Sequence, residues 1–151
     1  MHVRMELARI LIRELNDFQI IELREVSVSK DDSGEETVSQ VENGRSFPIV
    51  IGLPEAQAIE RRLKGVPAPR PQTHDLLMSV IDELGGVLES IAITELREST
   101  FYAVLNVRDK GGSLRAIDSR PSDAIALGIA SSVPIYVEEQ VLDEAERDGK
   151  Q

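Results

Sequence analysis

Two aspartates, two serines and an arginine lie within one short stretch, and side chains of these types can bind ions. The stretch is AIDSRPSDAIALG, residues 116–128. Pro121 is typical of a first helical position, and a carboxylate such as Asp123 is favoured in the first turn by the free amides there. Ser122 suits the same turn. The stretch is therefore predicted to begin a helix, whether or not it also does chemistry.

Arg120 is the residue of this stretch that a helix start does not explain. A cation at the positive end of a helix is unfavourable unless a carboxylate or a bound anion lies beside it. Asp118 and Asp123 are the carboxylates within reach in the sequence. The alternatives stay open at this point: Arg120 either forms an internal ion pair with one of them or binds a phosphate.

His74 and Asp75 form a second candidate pair, directly after Thr73, which is predicted to cap a helix. Adjacent residues on a helix point about 100° apart, so these two cannot form one another's catalytic pair. If they act, each must meet a partner from elsewhere, and the stretch around Arg120 is the natural source. In the structural alternative, Asp75 only favours the helix dipole and His74 is inert.

The elements that must position these residues read as one unit that occurs twice, a β-hairpin followed by a strand and a helix that begins with proline. The first unit has a hairpin over 8–26, a strand at Phe47–Ile51 and a helix from Pro54 to Gly65; the second has a hairpin over 89–109, a strand at Leu114–Ile117 and a helix from Pro121. The matched positions are Ile10, Ile12, Glu14 and Leu15 with Ile91, Ile93, Glu95 and Leu96. We therefore predict an internal duplication.

The remaining segments complete one domain over residues 1–151. A polar insertion at about 27–44 is predicted to be mobile, with a strand at Thr37–Val41. A helix with an apolar stripe follows Thr73, and the chain ends with a short strand at Val133–Val137 and an acidic helix at about 138–151. The fold class predicted from these elements is α+β, with a mixed, largely antiparallel sheet and helices packed on it.

Composition narrows the classes of function. The 151 residues include no cysteine, which excludes disulfides, thiolate metal sites and thiol nucleophiles. The N-terminal sequence MHVRMELARILIREL is typical neither of a signal peptide nor of a membrane span, so we expect a cytoplasmic protein with no membrane partner. The net charge of −10 is unlike that of domains that bind duplex through a basic face. Arg61, Arg62 and Lys64 are expected to form the solvated face of the Pro54 helix.

Three segments resemble the bifunctional nuclease domain family over about residues 6–142: FPIVIGLPEAQAIERRLKG, PRPQTHDLL, and IDSRPSDAIALG with PIYV. The resemblance implies a compact α+β domain, frequently an oligomer, with action on DNA and RNA reported for some plant members. The positions that match the two polar motifs are Arg70, Thr73, His74 and Asp75, and Asp118, Arg120, Pro121, Ser122 and Asp123.

The resulting hypothesis is a phosphodiester hydrolase for DNA or RNA that uses a divalent ion, Mg²⁺ or Mn²⁺, and no organic cofactor. Carboxylate oxygens suit such an ion, arginine stabilises phosphate charge, and the ordinary pKa of histidine suits a general acid or base. The candidate residues are His74, Asp75, Arg120 and Asp123 for catalysis; Arg70, Arg120 and Ser122 for binding phosphate; and Asp118 and Asp123, with Asp75 as a further candidate, for the metal.

Two kinds of partner are expected, a nucleic acid and further copies of the chain, with a homodimer as the first expectation. The alternative hypothesis is a non-catalytic oligomeric interaction or regulatory domain. In that case Arg70, His74 and Arg120 complete buried polar networks, and the aliphatic surfaces serve self-association.

Overall fold

The computed structural model describes residues 2–13 and 15–149. The predicted match at Glu14 and the last two residues of the predicted C-terminal helix lie outside these described residues. The described part of the chain contains eight strands and four helices, in the order β1 His2–Leu11, β2 Phe18–Lys30, β3 Glu36–Gln40, β4 Ser46–Gly52, α1 Leu53–Lys64, α2 Thr73–Glu83, β5 Val87–Arg97, β6 Thr100–Arg108, β7 Leu114–Ser119, α3 Pro121–Ser131, β8 Ile135–Glu138 and α4 Glu139–Gly149.

All eight strands belong to one mixed sheet, in which β8 and β5 form the parallel pair and the other described pairs are antiparallel. The order is β3-β2-β1-β8-β5-β6-β7, and β4 also pairs with β2. The predicted α+β class is therefore confirmed. Each half of the chain contributes a hairpin and a third strand, with β8 between the halves. A duplicated unit would give this order, and the duplication itself stays a prediction.

One face of the sheet is covered by helices because the strands alternate apolar residues on that side. In β2, Ile21 and Leu23 are fully buried, whereas Ile20, which points to the opposite face of the sheet, is exposed. Helix α3 packs most deeply, with residues 124–127 fully buried. Its alanines and Gly128 allow the helix to approach the sheet closely. The start of α3, where Arg120 lies, is thereby anchored to the core.

The polar insertion is a regular hairpin. The predicted strand at Thr37–Val41 is present as β3, and it pairs with the end of β2. The turn between the two strands is closed by Asp31, whose carboxylate accepts hydrogen bonds from the backbone N–H groups of Ser33 and Glu35, each at 2.9 Å. Local side-chain bonds of this kind order a segment that its composition alone marks as a loop.

Helix α2 departs from the sequence prediction at two points. Its N-cap is Gln72, and Thr73 is the first helical residue, so the predicted cap at Thr73 is wrong by one position. The helix has no fully buried residue, and its predicted apolar stripe lies mostly at the surface. None of the helices in the described part of the chain has the length and apolar character needed to cross a bilayer.

Replacing Gly128 by alanine is expected to raise the free energy of unfolding by about 0.5–1 kcal/mol, because alanine favours the helical backbone more than glycine does. A Cβ at this position would lie 3.5 Å from the side chain of Ile91, an ordinary contact distance. Gly128→Leu is expected to lower it by about 1–3 kcal/mol, because a larger side chain overpacks the interface. Urea denaturation of the three proteins checks both signs. Destabilisation by alanine would show that α3 packs on the sheet more tightly than described.

Candidate functional site

An open cleft of about 1070 Å³ lies where the N-terminal ends of α1, α2 and α3 meet the end of β7. The charged or titratable residues in its lining are Glu55, His74, Asp118, Arg120 and Asp123. All of them except Asp118 form one hydrogen-bonded cluster. The opposite walls are apolar and include Leu76, Leu77 and Ile117. The cleft thus combines a small polar cluster with apolar walls, a combination typical of ligand sites.

Arg120 has an internal partner, which is Asp123 rather than Asp118, and binding of a phosphate stays a prediction. The Nε of Arg120 donates to Oδ2 of Asp123 at 2.8 Å, and Nη2 donates to Oδ1 at 3.2 Å. A third bond runs from Nη1 to Oε1 of Glu55, at 3.2 Å. The arginine side chain is still 63% exposed, so a ligand can reach it. The carboxylates of Asp123 and Glu55 compensate the unfavourable placement of a cation at the positive end of α3.

Glu55 was missed by the sequence analysis. It lies in the first turn of α1, where an acidic side chain suits the helix dipole, so its position in the sequence indicates no further role. Its contact with Arg120 joins residues 65 positions apart and depends on how α1 packs beside α3. The predicted duplication could have indicated the contact between Glu55 and Arg120. It gives two related helix starts, and related helices that pack side by side bring their first turns into contact.

His74 contacts the other polar motif. Its Nε2 lies 2.8 Å from Oδ1 of Asp123, and the two side chains are 17% and 27% exposed. The second ring nitrogen, Nδ1, has no hydrogen-bond partner among the described residues. Burial raises the pKa of Asp123, but hydrogen bonds from Arg120 and His74 outweigh it and hold the pKa below its usual value of 3.8. Asp123 is therefore a shared, ionised acceptor for an arginine and a histidine.

Asp75 points away from the cleft and is fully engaged in ion pairs. Arg61 donates Nη2 to both of its oxygens, at 3.0 and 2.9 Å, and Arg62 donates Nη1 to Oδ1 at 2.5 Å. The backbone N–H of Gln72 donates to Oδ2 at 3.0 Å. This backbone bond and the two guanidinium groups lower the pKa of Asp75. These partners favour the alternative in which Asp75 has a structural role and takes no part in chemistry.

The expected solvated face of α1 is wrong for two of its three cations. The side chain of Arg62 is only 6% exposed and that of Arg61 18%, whereas Lys64 is 63% exposed and pairs with Glu60. Arg62 also donates Nε to the carbonyl oxygen of Ala126 in α3, at 2.8 Å. The amphipathic pattern of α1 did not predict the burial of Arg61 and Arg62, because that burial depends on how α2 and α3, which are distant in the sequence, pack against α1.

The other predicted residues lie outside the polar cluster. Asp118 opposes Val104 in β7, and its neighbours Ile117 and Ser119 lie opposite buried residues on the helix-covered face. Strand alternation directs the Asp118 side chain towards the other face of the sheet, although Asp118 is also part of the cleft lining. Arg70 is exposed in the connector before α2, and Ser122 is buried in the first turn of α3. Of the three residues predicted to bind phosphate, only Arg120 faces the cleft with its charge exposed.

The residues present do not fit a divalent ion. No group of three His, Asp or Glu side chains converges as a ligand set within residues 2–13 and 15–149. The two oxygens of Asp123 already accept hydrogen bonds from Arg120 and His74, and Asp118 is directed to the opposite face. Dependence on Mg²⁺ or Mn²⁺ therefore stays a prediction.

Comparison with known proteins places this site inside a known domain. A model named "Bifunctional nuclease domain" matches residues 38–149, which include the whole polar cluster. An uncharacterized protein of Mycobacterium tuberculosis is 46% identical over 101 residues, which is 67% of this chain and 59% of that protein. Bifunctional nuclease 1 of Oryza sativa subsp. japonica and a bifunctional nuclease of Oryza minuta are each 25% identical over 108 residues, 69% of this chain and 33% of theirs. The match therefore spans less than two thirds of these relatives.

Asp75→Asn is expected to lower the free energy of unfolding at pH 7 by about 2 kcal/mol, between the values typical of exposed and of buried ion pairs. The pKa of Asp75 is lowered on folding from 3.8, so its stabilisation is present above that pH and is lost as the pH falls through the native pKa. The difference between variant and wild type should therefore shrink below pH 3.8.

Urea denaturation at pH 7 and at about pH 3 measures this difference. Glu60→Gln removes a carboxylate from an exposed pair on α1 and serves as the control, with an expected effect within about 0.5 kcal/mol. A deficit for Asp75→Asn that is the same at both pH values would contradict the assignment.

Proposed function

The chain belongs to the bifunctional nuclease domain family, and we propose that its cleft binds and hydrolyses phosphodiester bonds of DNA or RNA. The observation that carries the proposal is the 2.8 Å contact between Nε2 of His74 and Oδ1 of Asp123, at the edge of an open cleft. A carboxylate that orients an imidazole beside a cleft is a recurring arrangement in hydrolytic sites. The similarity to rice proteins named bifunctional nucleases is a second support.

His74 is the proposed general base. When Nε2–H donates to the ionised Asp123, the neutral imidazole carries its lone pair on Nδ1, which lacks a protein partner in the described part of the chain. Nδ1 can then take a proton from a water molecule as its oxygen attacks phosphorus. The bond from phosphorus to the leaving oxygen breaks, and that oxygen takes a proton from the imidazolium or from solvent. Asp123 stabilises the imidazolium that forms between these two proton transfers.

Arg120 is the proposed phosphate-binding residue. Its Nε and Nη2 are held by Asp123, which fixes the plane of the guanidinium. The Nη1 edge is bonded to Glu55 at 3.2 Å, so a phosphate oxygen can take its place by displacing this one carboxylate. Because negative charge develops on the phosphate oxygens in the transition state, contact with the guanidinium group accelerates the reaction as well as binding the substrate. A local arginine serves this role in a chain of net charge −10.

A second candidate function is a non-catalytic interaction domain, and the exposed apolar residues of α2 favour it. Leu76 and Leu77 are 56% and 39% exposed, and both also line the cleft. In this function the cluster around Asp123 only holds the three helix starts together. The two functions differ in whether His74 and Arg120 act on a phosphodiester, and an assay with variants separates them.

His74→Gln and Asp123→Asn are each expected to lower the rate of cleavage of a fluorescent oligonucleotide by about 10²–10⁴-fold, the contribution typical of a positioned acid or base. Single-stranded and duplex DNA and RNA are tested, each with Mg²⁺, with Mn²⁺ and with a chelator. Asp118→Asn tests the predicted metal ligand. Asp32→Asn is the matched control, because Asp32 is exposed in the turn between β2 and β3 and lies outside the cleft lining. It should cleave at the wild-type rate.

Three results would revise the proposal. Equal cleavage by the wild type and Asp123→Asn would assign the activity to another site or a contaminant. Loss of activity both with chelator and in Asp118→Asn would restore the predicted metal site. No cleavage of any substrate by the wild type would favour the interaction domain.

A further inference from the structure

A second groove adjoins the cleft of about 1070 Å³, which we call the main cleft. The second groove has a volume of about 470 Å³ and lies between β4 and the turn of the β5–β6 hairpin. We refer to it as the β4 groove, and its lining includes Val50, Thr100 and Phe101. Arg120 and Glu55 line both openings, so the hydrogen bond from Nη1 of Arg120 to Oε1 of Glu55 lies where the two meet.

The position of Arg120 between two openings suits a phosphodiester. A phosphodiester has two organic substituents, and a phosphorus atom held at Nη1 of Arg120 has an opening on either side of it. Pockets that hold small ligands have volumes of about 300–1,000 Å³, so the volumes of about 470 and 1070 Å³ suffice for one nucleoside each. The two nucleosides that flank one phosphodiester bond can therefore occupy the two openings.

The charges of the two openings match a single phosphate. The described lining of the main cleft contains one cation, Arg120, and three carboxylates, those of Glu55, Asp118 and Asp123. The β4 groove adds no cation from the described part of the chain. One guanidinium can neutralise the single charge of a phosphodiester, whereas the further phosphates of a longer strand approach a chain of net charge −10. The site therefore suits a short substrate.

The walls of the β4 groove suit a nucleoside. Val50 is 59% exposed and presents an apolar surface to the groove. The ring of Phe101 is stacked on that of Phe47, with the ring centroids 5.5 Å apart, so this part of the lining is held in place. Thr100 is exposed, and its hydroxyl group can donate or accept a hydrogen bond. Apolar walls with a few polar groups are typical of sites for small molecules.

The proposed role of His74 indicates which nucleoside lies in the β4 groove. His74 lines the main cleft and is absent from the lining of the groove. The attacking and leaving oxygens of a phosphoryl transfer lie roughly in line, so water that approaches from the side of His74 expels the oxygen on the far side. The water proton passes to Nδ1 and a new bond from oxygen to phosphorus forms. The opposite bond breaks towards the groove, and the leaving oxygen keeps the electron pair and takes a proton from solvent.

We propose that the β4 groove is a second nucleoside subsite, so that the chain recognises a dinucleotide unit with its one phosphate on Arg120. One nucleoside occupies the main cleft, and the leaving nucleoside occupies the β4 groove. The assignment of the leaving nucleoside rests on the proposed function. The substrate class is short, single-stranded oligonucleotides, because a duplex brings more phosphates than this site has cations. Nucleases that cleave longer strands supply such fragments, so this reaction follows one of that class.

Isothermal titration calorimetry tests the subsite without requiring turnover. A deoxydinucleotide is compared with the 3′ and 5′ methyl esters of the mononucleotide, in which a methyl group replaces one nucleoside. The wild type is expected to bind the dinucleotide at least about tenfold more tightly than either ester, and Val50→Trp, which fills the groove, should bring this ratio near one. Val38→Trp is the matched control, because Val38 is a 42% exposed valine in β3 outside both openings, and it should keep the wild-type ratio.

A second variant and a salt titration complete the test. Thr100→Trp fills the groove from the opposite wall and should lower the ratio as Val50→Trp does, and circular dichroism melts establish that the variants are folded. Because one phosphate is neutralised, log Kd should rise with log salt with a slope of about 0.7 for the dinucleotide and for a single strand of about 20 nucleotides. A surface that contacts five phosphates gives a slope of about 3.5.

The outcomes separate the subsite from the proposed function. A ratio that is the same in the wild type, Val50→Trp and Thr100→Trp would overturn the subsite, and so would a slope of about 3 or more for the longer strand. Hydrolysis of the dinucleotide is measured on the same proteins. A ratio that depends on the groove, without hydrolysis by the wild type, would uphold the subsite and contradict the proposed function alone.

Discussion

A single buried guanidinium, that of Arg62, determines how the three helices of the site lie against one another. It extends from α1, bonds the Asp75 carboxylate in α2 and donates to the Ala126 carbonyl in α3. Because its side chain is 6% exposed, leaving this charge without partners would cost several kcal/mol, so both bonds are strongly favoured. Helix α2 buries no residue fully and therefore depends on such polar contacts more than α1 or α3 does.

The contact between His74 and Asp123 follows from that constraint. His74 is adjacent to the residue that Arg62 binds in α2, and Asp123 lies three residues before the carbonyl that Arg62 binds in α3. Fixing one end of α2 to the start of α3 therefore brings the imidazole to the carboxylate. The same carboxylate receives Arg120, so one ionised group orients both a base and a phosphate-binding cation. The proposed chemistry therefore depends on this shared acceptor, and it does not require a large basic surface.

What the sequence predicted well was local. The helix start at Pro121 and the hairpins follow from steric and dipole effects within one or two turns. The pairing of Arg120 with Asp123, three residues away, was one of three open alternatives, beside Asp118 and a phosphate. The meeting of His74 with Asp123, 49 residues apart, was reached only as a hypothesis from the two motifs. It needed the second motif to supply the partner, because nothing in the spacing of His74 identifies one.

What the sequence did not predict depends on which helix covers which. The burial of Arg61 and Arg62 requires α2 to lie over α1, and the charge pattern of α1 alone is that of a solvated face. Glu55 joins the cleft only because α1 starts beside α3. Conversely, the apolar stripe of α2 predicts a buried helix, and most of it is exposed. Each of these differences between prediction and structure arises from tertiary packing, which the sequence of a single helix does not determine.

The central claim is that Arg120 and His74 act together on a phosphodiester, and an NMR titration tests it most directly. Protein labelled with ¹⁵N in its arginine and histidine side chains is titrated with a dinucleotide that has one phosphodiester bond. The account predicts that the Arg120 Nε and His74 ring signals shift together with one saturation curve, and that Asp123→Asn abolishes the joint response. Shifts confined to Arg70 or Arg115, with Arg120 and His74 unchanged at saturation, would contradict it.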